Sequence, residues 1–350
     1  MTAPPARDTL GSCGSTTRPG RRPGENTGTA AAAGFDPQAI IPSAPGGTMV
    51  HQPPARLGDR ITLLGRKESC VCLLDGTTEC ALLGGGMSYT IPDVLAQMAE
   101  FGIPEERITR IIVLHTHFDH VGIVPFFAGR LGGARVCASA GGARMLGRKD
   151  VIKTILDYNQ ALVRMHHPQA RQTDFGLPFD HIRVDEIFQD GQRVRLGDLT
   201  LEILEVPGHS SCSMAVYCPE LKALFPSDAS GIMFEGRVFC AANSNFDLYE
   251  KNLERMALLE TEILCQEHYG ALTGEDARAF MPQSREAARM TRRLIEDVYL
   301  KTRDVDATAR EVTDLFMSHS SGYFLPREVM EMVVGQMTRF LARSLEPGSA

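Results

Sequence analysis

A chain of 350 residues that is 43% hydrophobic and 23% charged can bury a large core, in one domain or two. Its net charge of -7 offers no basic footprint for a nucleic-acid backbone, and no apolar stretch reaches the roughly 20 residues of a membrane span. Nine cysteines, odd in number and irregular in spacing, read as free or buried thiols of a reducing compartment, so a cytoplasmic location is expected.

Residues 1–48 are dominated by Pro, Gly, Ala and Thr without apolar periodicity and are expected to be disordered. Arg21-Arg22 is followed by no hydrophobic segment, which argues against a twin-arginine export signal, and Met49 is read as the natural start. A strand is expected at Ile61 to Leu64, then a hairpin of Ser69 to Leu74 and Glu79 to Leu83 turned at Asp75-Gly76 and ended by Gly84-Gly85-Gly86. Cys70 and Cys72 alternate along that strand, which is not the spacing of a zinc knuckle. Ile91, Val94, Leu95 and Met98 then fall at helical spacing.

The run Ile111-Ile112-Val113-Leu114 suits a buried strand and passes directly into His115-Thr116-His117-Phe118-Asp119-His120. Residues two apart on an extended segment face one side, so His115 and His117 can present imidazoles to one ion. A helix from Val121 to Leu131 would put Asp119 and His120 near its start, facing a second ion. A histidine-rich surface loop is the plain alternative, but imidazole and carboxylate so concentrated are the donors that zinc, iron or manganese take.

Downstream, a strand is expected at Ala134 to Ala138 and a helix from Lys149 to Met165 striped by Val151, Ile155 and Leu162, followed by a polar loop from Gln169 to Phe179. Strands follow at Val194 to Leu196, Leu199 to Val206, Met214 to Cys218 and Ala223 to Phe225. His209 comes after the second of these and Asp228 after the last. An amphipathic helix from Leu248 to Leu264 would leave His268 near its end. Taken singly, Asp228 would be a turn residue, His268 a helix-end residue, and Cys212 a small buried hydrophobe rather than part of a site. Residues 282 to 345 carry three helical stripes: Ala287, Met290, Leu294 and Val298; Val312, Leu315 and Phe316; Val329, Val333, Met337 and Leu341. These stripes read as mostly core; the helices are also candidates to wall a deep apolar pocket, with Met233, Phe234 and Phe239 of the 231–245 stretch as a second wall and Tyr323 and Phe324 as a cap, a plain packing role being the equal alternative for each.

The order His-x-His-x-Asp-His, then Gly-His, then Asp, then His resembles the metallo-β-lactamase-fold hydrolases over roughly residues 60 to 275. The resemblance implies a four-layer αβ/βα sandwich. It also implies two divalent metal ions, zinc before iron or manganese: His115, His117 and His209 on the first, Asp119, His120 and His268 on the second, and Asp228 between them. Two departures from the pattern stand out: Ser227 replaces a glycine before the bridging aspartate, and Glu267-His268-Tyr269 replaces Gly-His-Gly. His117 stands where the flavodiiron relatives carry glutamate, which favours hydrolysis. The ligand loop through Phe127 and the tail Phe324-Leu325-Pro326-Arg327-Glu328 are similar to the quinolone-signal response, 2-aminobenzoylacetyl-CoA thioesterase type.

The expected organisation is a catalytic domain over 49–280 and a helical extension over 281–350. The expected activity is cleavage of an acyl thioester, ester or lactone, in which the ion pair acidifies a shared water and polarises the carbonyl, with Asp119 or Asp228 moving the proton. Two other classes remain open: an iron redox enzyme of the persulfide dioxygenase or diiron oxygenase kind, and a regulatory protein with a vestigial site. The expected partner is a small acyl substrate, with neither nucleic acid nor membrane; a homodimer is left open.

Overall fold

The computed structural model describes residues 49–318, 320 and 322–345, so the stretch 1–48 lies outside the described residues. The first of two seven-stranded sheets begins as an antiparallel meander of Ala55–Leu57, Ile61–Arg66, Ser69–Asp75 and Cys80–Leu83. It continues in parallel through Ile108–Ile112, Arg135–Ser139 and Glu186–Phe188. The second orders Val50–His51, Ala271–Thr273, Ile263–Cys265, Ala223–Phe225, Met214–Cys218, Leu199–Glu205 and Arg193–Leu196, with one parallel pair, Ala223–Phe225 beside Ile263–Cys265.

Strand alternation builds the layers. Leu63, Cys72, Leu74, Ala81 and Leu83 face Leu201, Ile203, Met214 and Val216 across the space between the sheets. The opposite faces are covered by helices. Leu64, Val71, Leu73 and Ile111 pack with Val94 and Met98 of the helix Ile91–Glu100, Val124 and Phe127 of Val124–Arg130, and Ile152 and Ile155 of Lys149–His166. Leu204, Ala215, Leu224, Leu264 and Leu272 pack with Phe246, Tyr249 and Leu253 of Phe246–Met256 and with three C-terminal helices, Gly274–Thr302, Val305–Ser318 and Arg327–Leu345. The result is the αβ/βα sandwich with helices added at its C-terminal end.

Several elements differ from the sequence reading. The expected helix Leu248 to Leu264 ends at Met256, and Ile263–Cys265 is a strand of the second sheet. A short apolar run fits either period, and the ladder with Ala223–Phe225 decides it by burying Leu264 and Cys265 while Leu258 is left 86% exposed. His268 therefore follows a strand. The ligand helix starts at Val124, three residues later than expected, because Phe118–His120 forms a separate tight turn that lets Asp119 and His120 point inward. Ala140–Leu146 is an additional short helix, and the C-terminal helical region begins at Gly274 with Pro282 inside its first helix.

Candidate metal centre

The site lies where the strand ends of the two sheets meet. Beyond Ile112 the backbone stays tied to both: Val113 N donates to Cys137 O at 2.8 Å, and Leu114 O accepts from Met214 N at 2.8 Å. His117 is extended (φ -68, ψ 157), so His115 and His117 face one side. Buried Asn159 holds the following turn, its Nδ2 donating to Phe118 O at 2.8 Å while its Oδ1 accepts from Ser88 N at 2.8 Å. His209 enters from the loop after Leu199–Glu205, Asp228 from the turn after Ala223–Phe225, and His268 from the loop after Ile263–Cys265.

All seven side chains come together. His209 Nε2 lies 2.9 Å from His117 Nδ1 and 3.2 Å from His115 Nε2, and the last two are 3.2 Å apart. Beside this triangle stands a second: His120 Nε2 and His268 Nε2 at 3.0 Å, with Asp119 Oδ2 at 3.6 and 3.5 Å from them. Asp228 lies between the two, its Oδ2 at 3.5 Å from His209 Nε2, 3.9 Å from His115 Nε2 and 3.2 Å from His120 Nε2, and its Oδ1 at 3.7 Å from His268 Nε2.

The donor set fits a cation on physical grounds. His209 Nδ1 donates to Ala241 O at 2.7 Å, and His115 Nδ1 donates to Ser227 Oγ at 3.0 Å, whose own proton goes to Glu267. Each neutral ring therefore carries its lone pair on Nε2, and the two lone pairs face each other without a proton between them. An ion resolves that repulsion, and Zn–N bonds of about 2.0–2.1 Å place tetrahedral donors about 3.3 Å apart. Burial, then the neighbouring imidazoles, holds His115 well below its ordinary pKa, and burial and His209 bring His117 down to about 3. Burial also lowers His209. Burial opposes ionisation of Asp119 and Asp228, but His120 and His268 outweigh it, taking Asp119 to about 2 and Asp228 well below its usual range. For His120, burial is outweighed by Asp228, Glu267 and Asp119, which raise its pKa.

A family model described as the metallo-beta-lactamase superfamily matches residues 66–268, from the second strand of the first sheet to the last histidine of the cluster. The chain belongs to that superfamily. Like other metallo-beta-lactamase proteins, it carries a fold that implies divalent metal ions, and the histidine and aspartate groups described above could hold them. It is 25% identical over 171 residues to the acyl-coenzyme A thioesterase MBLAC2 of Gallus gallus, covering 47% of this chain and 58% of that protein. To the Homo sapiens protein of the same name it is 29% identical over 126 residues, 36% of this chain and 41% of that one. The chain thus spans about half the length of these relatives. A metallo-beta-lactamase family protein of Thermus thermophilus shares the fold, with a TM-score of 0.57 at 19% identity over 81% of this chain and 94% of that one.

A cavity of about 500 Å³ opens onto the cluster, reaching His117, Asp119, His209, Asp228 and His268. Phe239, Tyr323 and Phe324 line it, as do Phe316 and Met337 of the C-terminal helices, and the Phe324 ring stacks on His268 at 4.5 Å. Met233 and Phe234, read as candidate wall residues, sit instead in the helix-covered core of the second sheet. Cys212 does reach the cavity, 5% exposed with Sγ 3.3 Å from Thr116 Oγ1. Among the described residues that line the cavity there is no lysine or arginine; Asp119, Asp150 and Asp228 supply its carboxylates. Sequence reasoning did not foresee Asn159 or the contact between Ser227 and Glu267. The only sequence signal for that contact was that both positions depart from the common pattern.

Proposed function

We propose that this chain is a metal-dependent hydrolase that cleaves a thioester or ester of an uncharged, largely apolar acyl group. His115, His117 and His209 would hold one ion, Asp119, His120 and His268 the other, with Asp228 between them. When bound, such ions acidify a water and polarise the carbonyl it attacks. The chain's own residues supply the remainder. Asp119 and Asp228, at the inner end of the cavity and held ionised, are placed to take the proton and pass it to the leaving group. A thiolate leaving group needs little protonation, which makes a thioester the better substrate. Phe239, Phe316, Tyr323, Phe324 and Met337 give the acyl group an apolar wall and exclude water. In this reading residues 49–280 are the catalytic domain and 281–350 a helical extension that closes the cavity, with the helix Gly274–Thr302 spanning the boundary.

The observation that carries the proposal is an apolar cavity opening on the donor cluster with no cationic side chain among its described lining residues. A substrate whose enclosed part is a carboxylate would find no lysine or arginine to pair with among those residues. The sequence similarity to acyl-coenzyme A thioesterases supports the same class. The test is free-thiol release by zinc-, iron- and manganese-loaded protein over coenzyme A thioesters from acetyl to aromatic and medium-chain acyl groups, beside a hydroxyacylglutathione. Turnover should rise with apolar acyl size and vanish in His115→Ala and Asp119→Ala. Preference for the glutathione ester would overturn the reading of the cavity, and oxygen uptake without thiol release would replace hydrolysis by iron redox chemistry.

A further inference from the structure

The two departures from the superfamily pattern touch each other. Ser227 Oγ accepts from His115 Nδ1 at 3.0 Å and donates to Glu267 Oε2, and the same Oε2 lies 3.0 Å from His120 Nδ1. Serine and glutamate thus join an imidazole of the first triangle to an imidazole of the second, on the side away from the cavity. Glu267 is 3% exposed, and among the described residues no lysine or arginine pairs with it. Its Oε1 has no hydrogen-bond partner, and His120 Nδ1 stands close to Oε2 but off the line of a good bond. Taking a carboxylate out of water costs several kcal/mol in general, and the His120 ring is the one basic side chain beside it among the described residues.

The chain also makes room for this group. A Cβ on Gly84 would stand 2.3 Å from Glu267 Oε1, and Gly84 has φ +85. Ser227 and Tyr269, in two of the three places where the pattern has glycine, retain left-handed backbone at φ +51 and +59, a conformation that side chains adopt at a cost of about 1–2 kcal/mol each. Glu267 is fixed from both ends: Cys70 N donates to its carbonyl at 2.8 Å, and the neighbouring Gln266 Nε2 donates to Gly231 O at 2.7 Å, on the loop that carries Asp228.

We infer that Glu267, directly at His120 and through Ser227 at His115, is a positioning residue that couples the two ion sites. Ligating histidines commonly give their second N–H to a carboxylate, which fixes the tautomer and strengthens the donor nitrogen. Here a single carboxylate serves a histidine of each triangle, and ions held by His115 and His120 would balance its charge. This rests on the two-ion reading of the site.

The test is metal binding, not turnover. Zinc stoichiometry and affinity are measured by competition with a chromophoric chelator, and the cobalt(II) visible spectrum reports each site's geometry. Glu267→Gln keeps the shape and should lower affinity at both sites by about 10–100-fold. Ser227→Gly relieves the strained backbone and should lower affinity only at the site of His115, His117 and His209. Circular dichroism checks folding, and if Glu267→Gln does not fold, Ser227→Gly decides alone. Unchanged affinities and cobalt bands in folded variants would overturn the inference, as would loss at a single site in Glu267→Gln. Wild-type protein that binds fewer than two ions would remove the two-ion reading and the coupling with it.

Discussion

Replacing Gly208 by alanine tests whether the cluster depends on close packing between the His209 loop and the helix Phe246–Met256. Gly208 has φ +145, and a Cβ there would stand 2.4 Å from Tyr249 Cα and 2.5 Å from Tyr249 N. Carbon contacts are comfortable at about 3.5–4.0 Å, so helix and loop must separate by about 1 Å. Backbone cannot swing aside as a side-chain tip does. The conformational cost is about 1–3 kcal/mol and the overpacking about 1–3 kcal/mol, together about 2–6 kcal/mol. At about 1.5 °C per kcal/mol for a protein of this size, Tm should fall by about 3–9 °C. The shift also pulls on Gly208 O, which accepts from Ser244 N and Asn245 N at 3.0 Å each, and so displaces His209 from His115 and His117. Thermal melts with and without zinc, beside zinc stoichiometry, measure both effects. Full zinc binding with an unchanged Tm would refute the argument.

Asn159→Ala removes the acceptor of Ser88 N and the donor to Phe118 O. Leaving those groups unpaired should cost about 2–5 kcal/mol by chemical denaturation and weaken the ion held by Asp119, His120 and His268. Phe324→Ala deletes the ring stacked on His268 and lining the cavity, losing about 1.5–3 kcal/mol of apolar contact; steady-state kinetics should show KM for large acyl substrates raised about ten-fold or more, with kcat changed much less. Stripping metal with a strong chelator should lower Tm by about 6 °C for each site at which the free ion stands about 1,000-fold above Kd, and zinc should restore it.

Local spacing made part of the site legible. In 115–120 the i, i+2 relation on extended chain already separates His115 and His117 from Asp119 and His120, and the structure gives the two pairs to adjacent triangles. Alternation in 69–74 likewise marked the two faces of a sheet strand that the fold then covered. Where two periods fit equally, as in 248–264, local pattern misled: hydrogen bonds to the distant strand Ala223–Phe225 decided between helix and strand.

What the chain determines by itself is the inventory: which residues can ligate, which runs are apolar, and where glycine or serine interrupts a pattern. What only the tertiary structure decides is which of these meet. Ser227 and Glu267 read separately as departures from a motif, and Gly84 as the end of a hairpin, until the folded chain sets the three together behind His115 and His120. Periodicity reports which face of its own element a side chain occupies. It holds no information on which distant element lies opposite, because sheet order and loop path arise from burying all the faces at once.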